Sequence, residues 1–466
     1  MSQRFINREK ELGFLEERHM SKKPEFIVLY GRRRVGKTAL AVKFLEGRKG
    51  IYFLSSKEGD RENISSFSRE SAIFLSEPAF ADAEYKDWFS IFSALTSHIK
   101  FSGIEKKEKI AVVIDEFPYL IHSNAAIPSI FQRIWELLLK ERNIMLILLG
   151  SSVSVMESDV LGEKSPLYGR RTGDWSVVPM QFSVLPKFLP GCTMEDLINT
   201  WFVIGGMPEY LLQFDPKLGF FGNVEKNMLK KGCYLYNEAE FLMSEEFRES
   251  KNYKLILRAI SFGKNTAGEI CGNTGLDKGM VSKYLEVLKG LRLIFEELPV
   301  TSSRQSKNRR YSIADPYFNF WFRYIYPNKS ELESFRESEV LGAVKKDFGN
   351  YSGRLFEQFI MENMRDKTLL PEISFSRLSP WWHKDNEIDI VAVDDEKKEI
   401  MFVECKWKDN VDAKSILNGL KTKSALVQWH NGERKEHFAV FAKSFKNKSA
   451  GCYDLKDLSR MLAKVR

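Results

Sequence analysis

The feature that most constrains this chain is a glycine-containing loop between two runs of different character. The loop reads Gly31-Arg32-Arg33-Arg34-Val35-Gly36-Lys37-Thr38. The apolar run 26–30 precedes it, and a helix-favouring run, 39–45, follows it. A strand, a loop and a helix in this order are typical of a loop that surrounds a polyphosphate with backbone N–H groups. The positive end of the helix dipole adds to that attraction. The sequence therefore predicts a site for a nucleoside triphosphate.

Two side chains of this loop have specific predicted tasks. Lys37 is expected to reach the β- and γ-phosphates, and the Thr38 hydroxyl to ligate Mg²⁺. The alternative is a chance match in a basic glycine turn, but the flanking strand and helix favour the functional interpretation. The residues expected to surround the nucleotide are Gly31, Arg32, Arg33, Arg34, Val35, Gly36, Lys37, Thr38 and Ala39.

Two further apolar runs end in polar side chains. The run 110–114 is apolar without alternation, as in a fully buried parallel strand, and leads into Asp115 and Glu116. Asp115 is expected to hold Mg²⁺ through its water shell, and Glu116 to accept the proton of the attacking water. The run 144–149 leads to Ser151 and Ser152, either of which is a candidate contact to the γ-phosphate or the water. An ordinary Gly-Ser turn is the alternative.

Arg170 and Arg171 form an adjacent pair just before another strand-like segment. Either arginine is a candidate for the positive charge that stabilises phosphoryl transfer. Surface arginines paired with acidic neighbours are the alternative, and the residues alone leave both interpretations open.

Taken together, these motifs resemble the prokaryotic archaeal ATPase family, part of the AAA+/STAND group of P-loop NTPases. The resemblance rests on the loop, the segment 115–120, the turn 150–152 and the box 168–171. It implies a parallel sheet flanked by helices, with ATP as ligand. It also implies that Ser151 or Ser152 is the sensor-1 residue, and that Arg170 or Arg171 is an arginine finger acting from a neighbouring subunit of a homo-oligomer. The opening segment 5–12 resembles the part that packs near the adenine in such proteins.

The middle of the chain carries two further segments. Residues 201–211 resemble the Gly-x-Pro box in the helical lid of the same group. Residues 253–311 have the pattern of a winged helix, with three helices and then two short strands. Duplex DNA is the partner that this order suits, and a protein–protein spacer is the alternative. The basic residues expected to face DNA are Lys278 and Lys283 on the third helix and Arg304, Lys307 and Arg309 between the strands.

An aromatic-rich segment, 315–327, follows the winged-helix pattern. Stacked bases are one interpretation, and a buried packing helix is the favoured one because such a stripe buries well. Residues 328–350 are polar and charged, and we expect a linking helix there, with a separate helix beginning near Gly353.

The C-terminal part contains two predicted strands, 386–393 and 399–406. Side chains alternate along a strand, so Asp389 lies on one face of its strand, and Glu404 and Lys406 share a face of the partner. Burying such carboxylates is costly unless a cation compensates, and Mg²⁺ prefers oxygen ligands. We expect Asp389 and Glu404 to ligate the metal, Glu357 to approach from a helix, and Lys406 to orient or activate a water.

This arrangement resembles the PD-(D/E)xK nuclease fold, specifically the nuclease-like domain that follows the ATPase in the same family. The fold class predicted for the whole chain is therefore multidomain α/β. The predicted domains are a P-loop ATPase domain (1–185), a helical lid (186–248), a winged-helix domain (249–327) and a restriction-endonuclease-like α/β domain (328–466). Ile388 stands where the usual proline precedes the first aspartate, and a solvated hairpin or a decayed nuclease is the alternative.

Overall charge, cysteine spacing and apolar runs limit the partners and the cellular compartment that we expect. The net charge is +8, with 71 basic and 63 acidic residues, which is compatible with a nucleic-acid partner without requiring one. The five cysteines are scattered without a CxxC pair, which fits a reducing compartment. No apolar run approaches the roughly 20 residues that span a bilayer. Residues 1–5 lack the apolar core of a signal peptide, so we expect a cytoplasmic protein without a membrane partner.

Three functional hypotheses follow from these patterns. In the first, ATP binding and hydrolysis license a DNA-directed, Mg²⁺-dependent nuclease. In the second, the chain is an ATP-dependent regulatory switch whose winged helix and C-terminal domain only bind partners. In the third, it remodels nucleic acid without cutting it. The hypotheses separate at Asp389 and Lys406, because only the first needs a working metal site there.

Overall fold

A computed structural model describes residues 5–303 and 305–463 of the chain. Residues 1–4, Arg304 and residues 464–466 therefore lie outside the described residues. The chain divides into two units, Met1–Met180 with Met207–Glu209, and Gln181–Gly206 with Tyr210–Arg466. The finer division into four domains stays a prediction.

A parallel five-stranded sheet forms the centre of the first unit. Its strands are β1 (Glu25–Tyr30), β2 (Gly50–Leu54), β3 (Ile110–Asp115), β4 (Ile144–Gly150) and β5 (Gly173–Ser176), in the order β2-β3-β4-β1-β5. Every neighbouring pair is parallel. This arrangement confirms the predicted parallel sheet. The helices of this unit are α1 (Glu9–Met20), α2 (Lys37–Leu45), α3 (Asp60–Leu75), α4 (Ala79–Asp82), α5 (Trp88–Ser97), α6 (Ile99–Glu105), α7 (Phe117–Ser123), α8 (Ile127–Ile134) and α9 (Val153–Val155).

The interior of this sheet explains why its strands read as continuous apolar runs. Strands β3 and β4 are buried along their whole length, because helices cover both faces of a parallel sheet. Strand β4 lies between β3 and β1. The loop that follows β1, the acidic residues that end β3 and the serines that follow β4 therefore meet at one edge of the sheet. Open α/β sheets bind ligands at this edge.

The second unit begins with helices and ends with a sheet. Its helices are α10 (Leu185–Phe188), α11 (Met194–Ile204), α12 (Pro208–Leu211, whose first residues belong to the first unit), α13 (Gly219–Val224), α14 (Tyr234–Glu246), α15 (Lys251–Ser261), α16 (Ala267–Thr274), α17 (Lys278–Gly290), α18 (Pro316–Phe320), α19 (Lys329–Glu333), α20 (Glu337–Arg365), α21 (Ala413–Ser424) and α22 (Leu455–Ala463). Its strands are β6 (Ile294–Glu297), β7 (Arg310–Ile313), β8 (Arg377–His383), β9 (Asn386–Asp394), β10 (Glu399–Lys406), β11 (Val411–Asp412), β12 (Lys435–Ala442), β13 (Phe445–Asn447) and β14 (Cys452–Tyr453).

Helices α15, α16 and α17 and the antiparallel pair β6–β7 follow in the order that the sequence predicts. Helix α16 begins with a capping box, in which Thr266 and Glu269 exchange hydrogen bonds across the first turn. The main C-terminal sheet has the order β14-β12-β10-β9-β8, with β9 and β10 antiparallel and β10 and β12 parallel. Strand β8 is the edge of this sheet.

The aromatic segment that follows β7 is buried. Tyr317, Phe320 and Trp321 have no exposed surface. The Tyr317 hydroxyl donates to Leu235 O at 2.6 Å, and Trp321 Nε1 donates to Tyr236 O at 2.8 Å. These aromatic side chains pack against α14, as the favoured interpretation predicts, and they are not available to stack on bases.

One helical boundary was predicted wrongly. Residues 337–350 of the polar segment expected to be a separate linking helix, and the helix expected to begin near Gly353, belong to one helix, α20, of 29 residues. The first part of the polar segment contains the short helix α19. No proline interrupts the residues of α20. Gly353 has open space around it, so its only cost to the helix is the low helix propensity of glycine. The apolar residues of α20, from Val340 to Met364, are buried at helical spacing, and their packing holds the helix together.

Candidate nucleotide site and candidate carboxylate site

The phosphate-loop candidate turns sharply between β1 and α2. A Cβ added at Gly31 would lie 2.1 Å from the carbonyl oxygen of Val177, so only glycine fits there. Gly36 has a φ of 93°, in the left-handed region that glycine adopts without strain. Helix α2 begins at Lys37, directly after this glycine. The two glycines therefore serve the geometry of the turn.

Lys37 is almost fully buried, with 5% of its surface exposed. Its Nζ donates to Gly31 O at 2.8 Å and to Arg32 O at 3.1 Å, both carbonyls of its own loop. Burial lowers the pKa of Lys37 to about 8, opposed by the nearby charges of Glu116 and Asp115. A buried ammonium held by neutral carbonyls, with carboxylates only farther away, fits the negative charge of a polyphosphate.

The Asp115 carboxylate, at the end of β3, accepts three hydrogen bonds. Its Oδ2 accepts from the Thr38 hydroxyl at 2.7 Å and from the Tyr52 hydroxyl at 2.8 Å. Its Oδ1 accepts from the N–H of Glu116 at 2.8 Å. Asp115 itself is 1% exposed. A hydroxyl and a carboxylate in direct contact are the oxygen donors that Mg²⁺ uses beside a nucleotide, so these residues fit that ion.

Glu116 faces the residue that follows β4. The Ser151 hydroxyl donates to Glu116 Oε2 at 2.6 Å, and Arg33 Nη1 lies 3.8 Å from Oε1. The backbone of Glu116 has a φ of 53°, which is uncommon for a residue with a side chain and is typical of functional turns. The Ser152 hydroxyl lies 3.5 Å from the Ser154 hydroxyl instead. Of the two candidate serines, Ser151 is the one that contacts the carboxylate.

The two candidate arginines pair with acidic neighbours. Arg170 Nε lies 3.3 Å from Glu136 Oε1, and Arg171 Nε lies 2.6 Å from Asp174 Oδ1. Both arginine side chains are 30% exposed. These partners lie outside the loop and outside the end of β3, so these ion pairs do not join either arginine to the candidate nucleotide site.

Three residues at this site were not singled out from the sequence. Tyr52 donates to Asp115, and Tyr119 accepts a hydrogen bond from Arg33 Nη2 at 3.0 Å. Arg8 Nη2 donates to Val35 O and Val178 O, each at 2.8 Å, and so ties the opening segment to the loop. The only sequence signal for Tyr52 is a polar side chain near the end of a strand, and that signal is weak until the strand is known to neighbour β3.

The C-terminal carboxylates converge on a lysine. Asp389 Oδ2 accepts from the N–H of Cys405 at 2.7 Å and lies 3.4 Å from Lys406 Nζ. Glu404 Oε1 accepts from Lys406 Nζ at 2.8 Å and from Lys423 Nζ at 3.3 Å. The side chains of Asp389 and Glu404 are 9% and 8% exposed. Lys406 therefore bridges the two carboxylates.

Burial and mutual repulsion raise the pKa of two carboxyl groups at this site. Desolvation, with the charge of Glu404 next, raises the pKa of Asp389 to about 6. Desolvation, with the charge of Asp389 next, raises the pKa of Glu357 well above its ordinary value. The charge of Asp389 therefore acts on Glu357, and the charge of Glu404 acts on Asp389.

Their arrangement is not a formed metal cage. Within residues 5–303 and 305–463, no group of three or more His, Cys, Asp or Glu side chains is arranged to hold a metal ion. The Lys406 ammonium, between Asp389 and Glu404, supplies the compensating positive charge. Asp389, Glu404 and Glu357 as metal ligands stay a prediction.

A small pocket opens beside Asp389. Its walls include Glu297 and Arg310 from the hairpin β6–β7, Arg354 and Glu357 from α20, and Glu387 from β9.

Of the basic residues expected between the hairpin strands, Arg309 pairs with Glu296 at 3.1 Å, and Lys307 is exposed. Lys278 and Lys283 are exposed on α17.

Comparison with known proteins gives two family matches. Residues 5–214 match the model of an ATPase domain found predominantly in Archaea. Residues 321–416 match a model described as archaeal and bacterial proteins of unknown function. The second match contains Glu357, Asp389, Glu404 and Lys406.

Relatives and one solved structure extend this picture. An uncharacterized protein of Methanocaldococcus jannaschii is 39% identical over 464 residues, which are 98% of this chain and 100% of the relative. An uncharacterized ATP-binding protein of the same organism is 58% identical over 45 residues, 10% of this chain and 76% of the relative. A Walker-type ATPase of Pyrococcus abyssi is similar in structure, with a TM-score of 0.51 and 22% identity over 68% of this chain and 96% of the other. This last likeness shows the fold.

None of the helices in the described part of the chain has the length and apolar character that crossing a membrane demands.

Proposed function

Since this chain belongs to the archaeal ATPase family and is an ATPase, we propose that it holds MgATP at the loop 31–38 and uses the ATP cycle to control an action on duplex DNA. The observation that carries the nucleotide part is the direct contact between Thr38 Oγ1 and Asp115 Oδ2, 2.7 Å apart, beside the buried Lys37. Loop hydroxyl, strand carboxylate and ammonium are the groups that a nucleotide with its cation requires together.

The roles of the residues follow from their contacts. Lys37 neutralises the β- and γ-phosphates, and Thr38 and Asp115 supply oxygen atoms to the cation. Mg²⁺, when bound, offsets the negative charge that develops on the phosphate oxygens. Glu116 accepts the proton of the attacking water, and Ser151 holds its carboxylate through the 2.6 Å hydrogen bond. The remaining loop residues, 31–36 and Ala39, line the nucleotide.

Arg170 or Arg171 completes the site of a neighbouring subunit in a homo-oligomer. Each is paired with a carboxylate that is about one-third exposed, Glu136 at 36% and Asp174 at 37%. Exposed ion pairs contribute roughly 0–1 kcal/mol, so a phosphate can replace either partner at small cost.

The C-terminal residues cleave DNA with a divalent cation. Asp389 and Glu404 provide the ligand oxygens, Glu357 approaches from α20, and Lys406 orients the attacking water. The support is their proximity: Lys406 Nζ lies 2.8 Å from Glu404 and 3.4 Å from Asp389. A cation would displace the lysine from between the acids, which frees it to hold a water.

A second candidate function has its own supporting observation. Lys406 already compensates the buried charges of Asp389 and Glu404. A site balanced in this way needs no metal to be stable. The chain would then be an ATP-dependent switch, in which the helix–hairpin segment and the C-terminal sheet only bind partners.

One experiment separates the two candidates. Supercoiled plasmid is incubated with the pure protein, ATP and Mg²⁺ or Mn²⁺, beside Asp389→Asn and the control Asp395→Asn, an exposed carboxylate in the β9–β10 turn. Cleavage by the wild type and by Asp395→Asn, but not by Asp389→Asn, supports the nuclease. Intact plasmid in all three reactions removes the nuclease and leaves the switch. Equal cleavage in all three assigns the nicking to a contaminant.

A further inference from the structure

The hairpin β6–β7 lies against the C-terminal sheet. The N–H of Val300 donates to Pro380 O at 3.0 Å, and the Ser379 hydroxyl donates to Leu298 O at 2.7 Å. Val300 is 4% exposed and shares a hydrophobic cluster with Trp381 and Ile388. The segment after β6 therefore covers the outer edge of β8, the last strand of its sheet. The hairpin forms one wall of the pocket beside Asp389.

Arg310 is the hairpin cation in that wall. Its Nη1 lies 2.7 Å from Glu387 Oε1, and its guanidinium carbon lies 4.2 Å from the centre of the Trp382 ring. Trp382 is in turn held by its Nε1, which donates to Asn308 Oδ1 at 2.8 Å. Stacking on an aromatic face fixes the plane of a guanidinium and leaves its edge for hydrogen bonds. A guanidinium held over a ring in this way can pair with a phosphate through two parallel bonds.

The exposure of the partner carboxylates shows which arginine of the pocket can change partner. Arg354 pairs with Glu297, whose side chain is 9% exposed, and also donates to the Ser312 hydroxyl. Arg310 pairs with Glu387, whose side chain is 46% exposed. Unpairing the buried Glu297 would leave a desolvated charge, whereas Glu387 returns to water. Arg310 is therefore the cation that is free to exchange.

We propose that Arg310 binds a backbone phosphate of duplex DNA at the C-terminal carboxylate site, so that the hairpin and the C-terminal sheet bind the duplex as one surface. The inference rests on the proposed DNA partner and does not require cleavage. Arg310 leaves Glu387 and pairs with the phosphate, while Trp382 keeps the guanidinium in place. Lys278 and Lys283, exposed on α17 of the same helix–hairpin segment, supply further phosphate contacts.

The test measures the salt dependence of DNA binding by the full chain. A fluorescein-labelled duplex is titrated at several salt concentrations, with Ca²⁺ in place of Mg²⁺ so that a nuclease would not act. Each phosphate contact adds about 0.9 to the slope of log affinity against log salt. The variants are Arg310→Ala, Arg310→Lys and the matched control Arg377→Ala. Arg377 also joins the hairpin segment to the sheet, donating to Val300 O at 2.8 Å, but it pairs with Asp395 outside the pocket.

We expect Arg310→Ala to bind about tenfold more weakly and to lower the slope by about 1, as for loss of one phosphate contact. Arg310→Lys should keep the slope, because it keeps the charge. Arg377→Ala should keep the slope even if docking of the hairpin is loosened. A wild-type slope in Arg310→Ala, an equal change in Arg377→Ala, or a wild type that binds no duplex would each overturn the inference. Failure of the nuclease shows instead as intact plasmid in the cleavage assay, which leaves this measurement unaffected.

Discussion

The Tyr52 hydroxyl donates a hydrogen bond to Asp115 Oδ2 across 2.8 Å, on the same oxygen that accepts from Thr38. The two residues stand on neighbouring parallel strands, β2 and β3. Burial first, and then the Asp115 charge, raises the pKa of Tyr52, so the phenol stays a proton donor at neutral pH. Tyr52 thus orients the carboxylate that we assign to the cation.

The first prediction concerns this hydrogen bond. Tyr52→Phe should weaken the Mg²⁺-dependent part of ATP affinity roughly 10- to 100-fold, because a hydrogen bond to a charged group contributes roughly 1.5–3 kcal/mol. Fluorescent-nucleotide titration with Mg²⁺ and with EDTA measures this part directly. Tyr85→Phe, which removes a hydroxyl bonded to Phe80 O at 3.0 Å, is the matched control. Equal Mg²⁺ dependence in wild type and Tyr52→Phe would show that Tyr52 has no such role.

The second prediction concerns the proton acceptor. Ser151→Ala should lower kcat for ATP hydrolysis roughly 10- to 100-fold with little change in KM, because Glu116 loses the donor that holds its carboxylate. Steady-state phosphate release gives both constants. Ser154→Ala, an exposed serine on α9, should match the wild type. If kcat is unchanged in Ser151→Ala, Glu116 does not depend on this contact.

The third prediction concerns the loop lysine. Lys37→Ala should weaken nucleotide binding by at least about 100-fold, because the buried ammonium is the loop's main compensation for the β- and γ-phosphates. Isothermal titration calorimetry with ATP and Mg²⁺ is the measurement. Lys43→Ala changes an exposed lysine of the same helix, paired with Glu46 at 2.6 Å, and should bind normally. Retained affinity in Lys37→Ala would contradict our assignment of the loop.

The fourth prediction concerns stability and pH. Asp347 Oδ2 accepts from Arg323 at 2.6 Å and from Tyr324 at 2.8 Å. Burial raises the pKa of Asp347, but the bonds from Arg323 and Tyr324 outweigh it, so the pKa is lowered overall. A lowered pKa gives stability that is present above the unfolded value, about 3.9, and is lost as the pH falls through the folded value.

Asp347→Asn should therefore cost about 1–2 kcal/mol at pH 7, a figure reduced for the partial exposure of the pair. The difference from wild type should shrink as the pH falls below about 4 and then through the lowered folded value, where the wild-type carboxyl also becomes neutral. Urea unfolding at both pH values tests this. Glu339→Gln, which removes one of two exposed partners of Arg336, should change stability by less than about 0.5 kcal/mol. A deficit that persists unchanged at low pH would exclude the charge as its cause.

Much of the fold could be read from local patterns. Strands β1, β3 and β4 are recognisable because a strand buried on both faces must be apolar throughout. The capping box at Thr266 is recognisable because both of its side chains lie within one helical turn. The single helix α20 was missed because its polar first half gives no local sign that it continues through Gly353. Only packing of its buried residues reveals the continuity.

By itself, the sequence determined several elements and the positions of site residues along them: Lys37 at the start of α2, Asp115 at the end of β3, and Asp389 and Glu404 within the neighbouring strands β9 and β10. Such features depend on periodicity and on neighbours within a few residues. The tertiary structure decided which distant groups meet. In that structure Tyr52 contacts Asp115, Ser151 rather than Ser152 contacts Glu116, and Arg310 lies beside Glu387. The first two pairings depend on the strand order of the first sheet. The third joins residues that are 77 positions apart in the chain and depends on how the hairpin docks. No local sequence pattern encodes either.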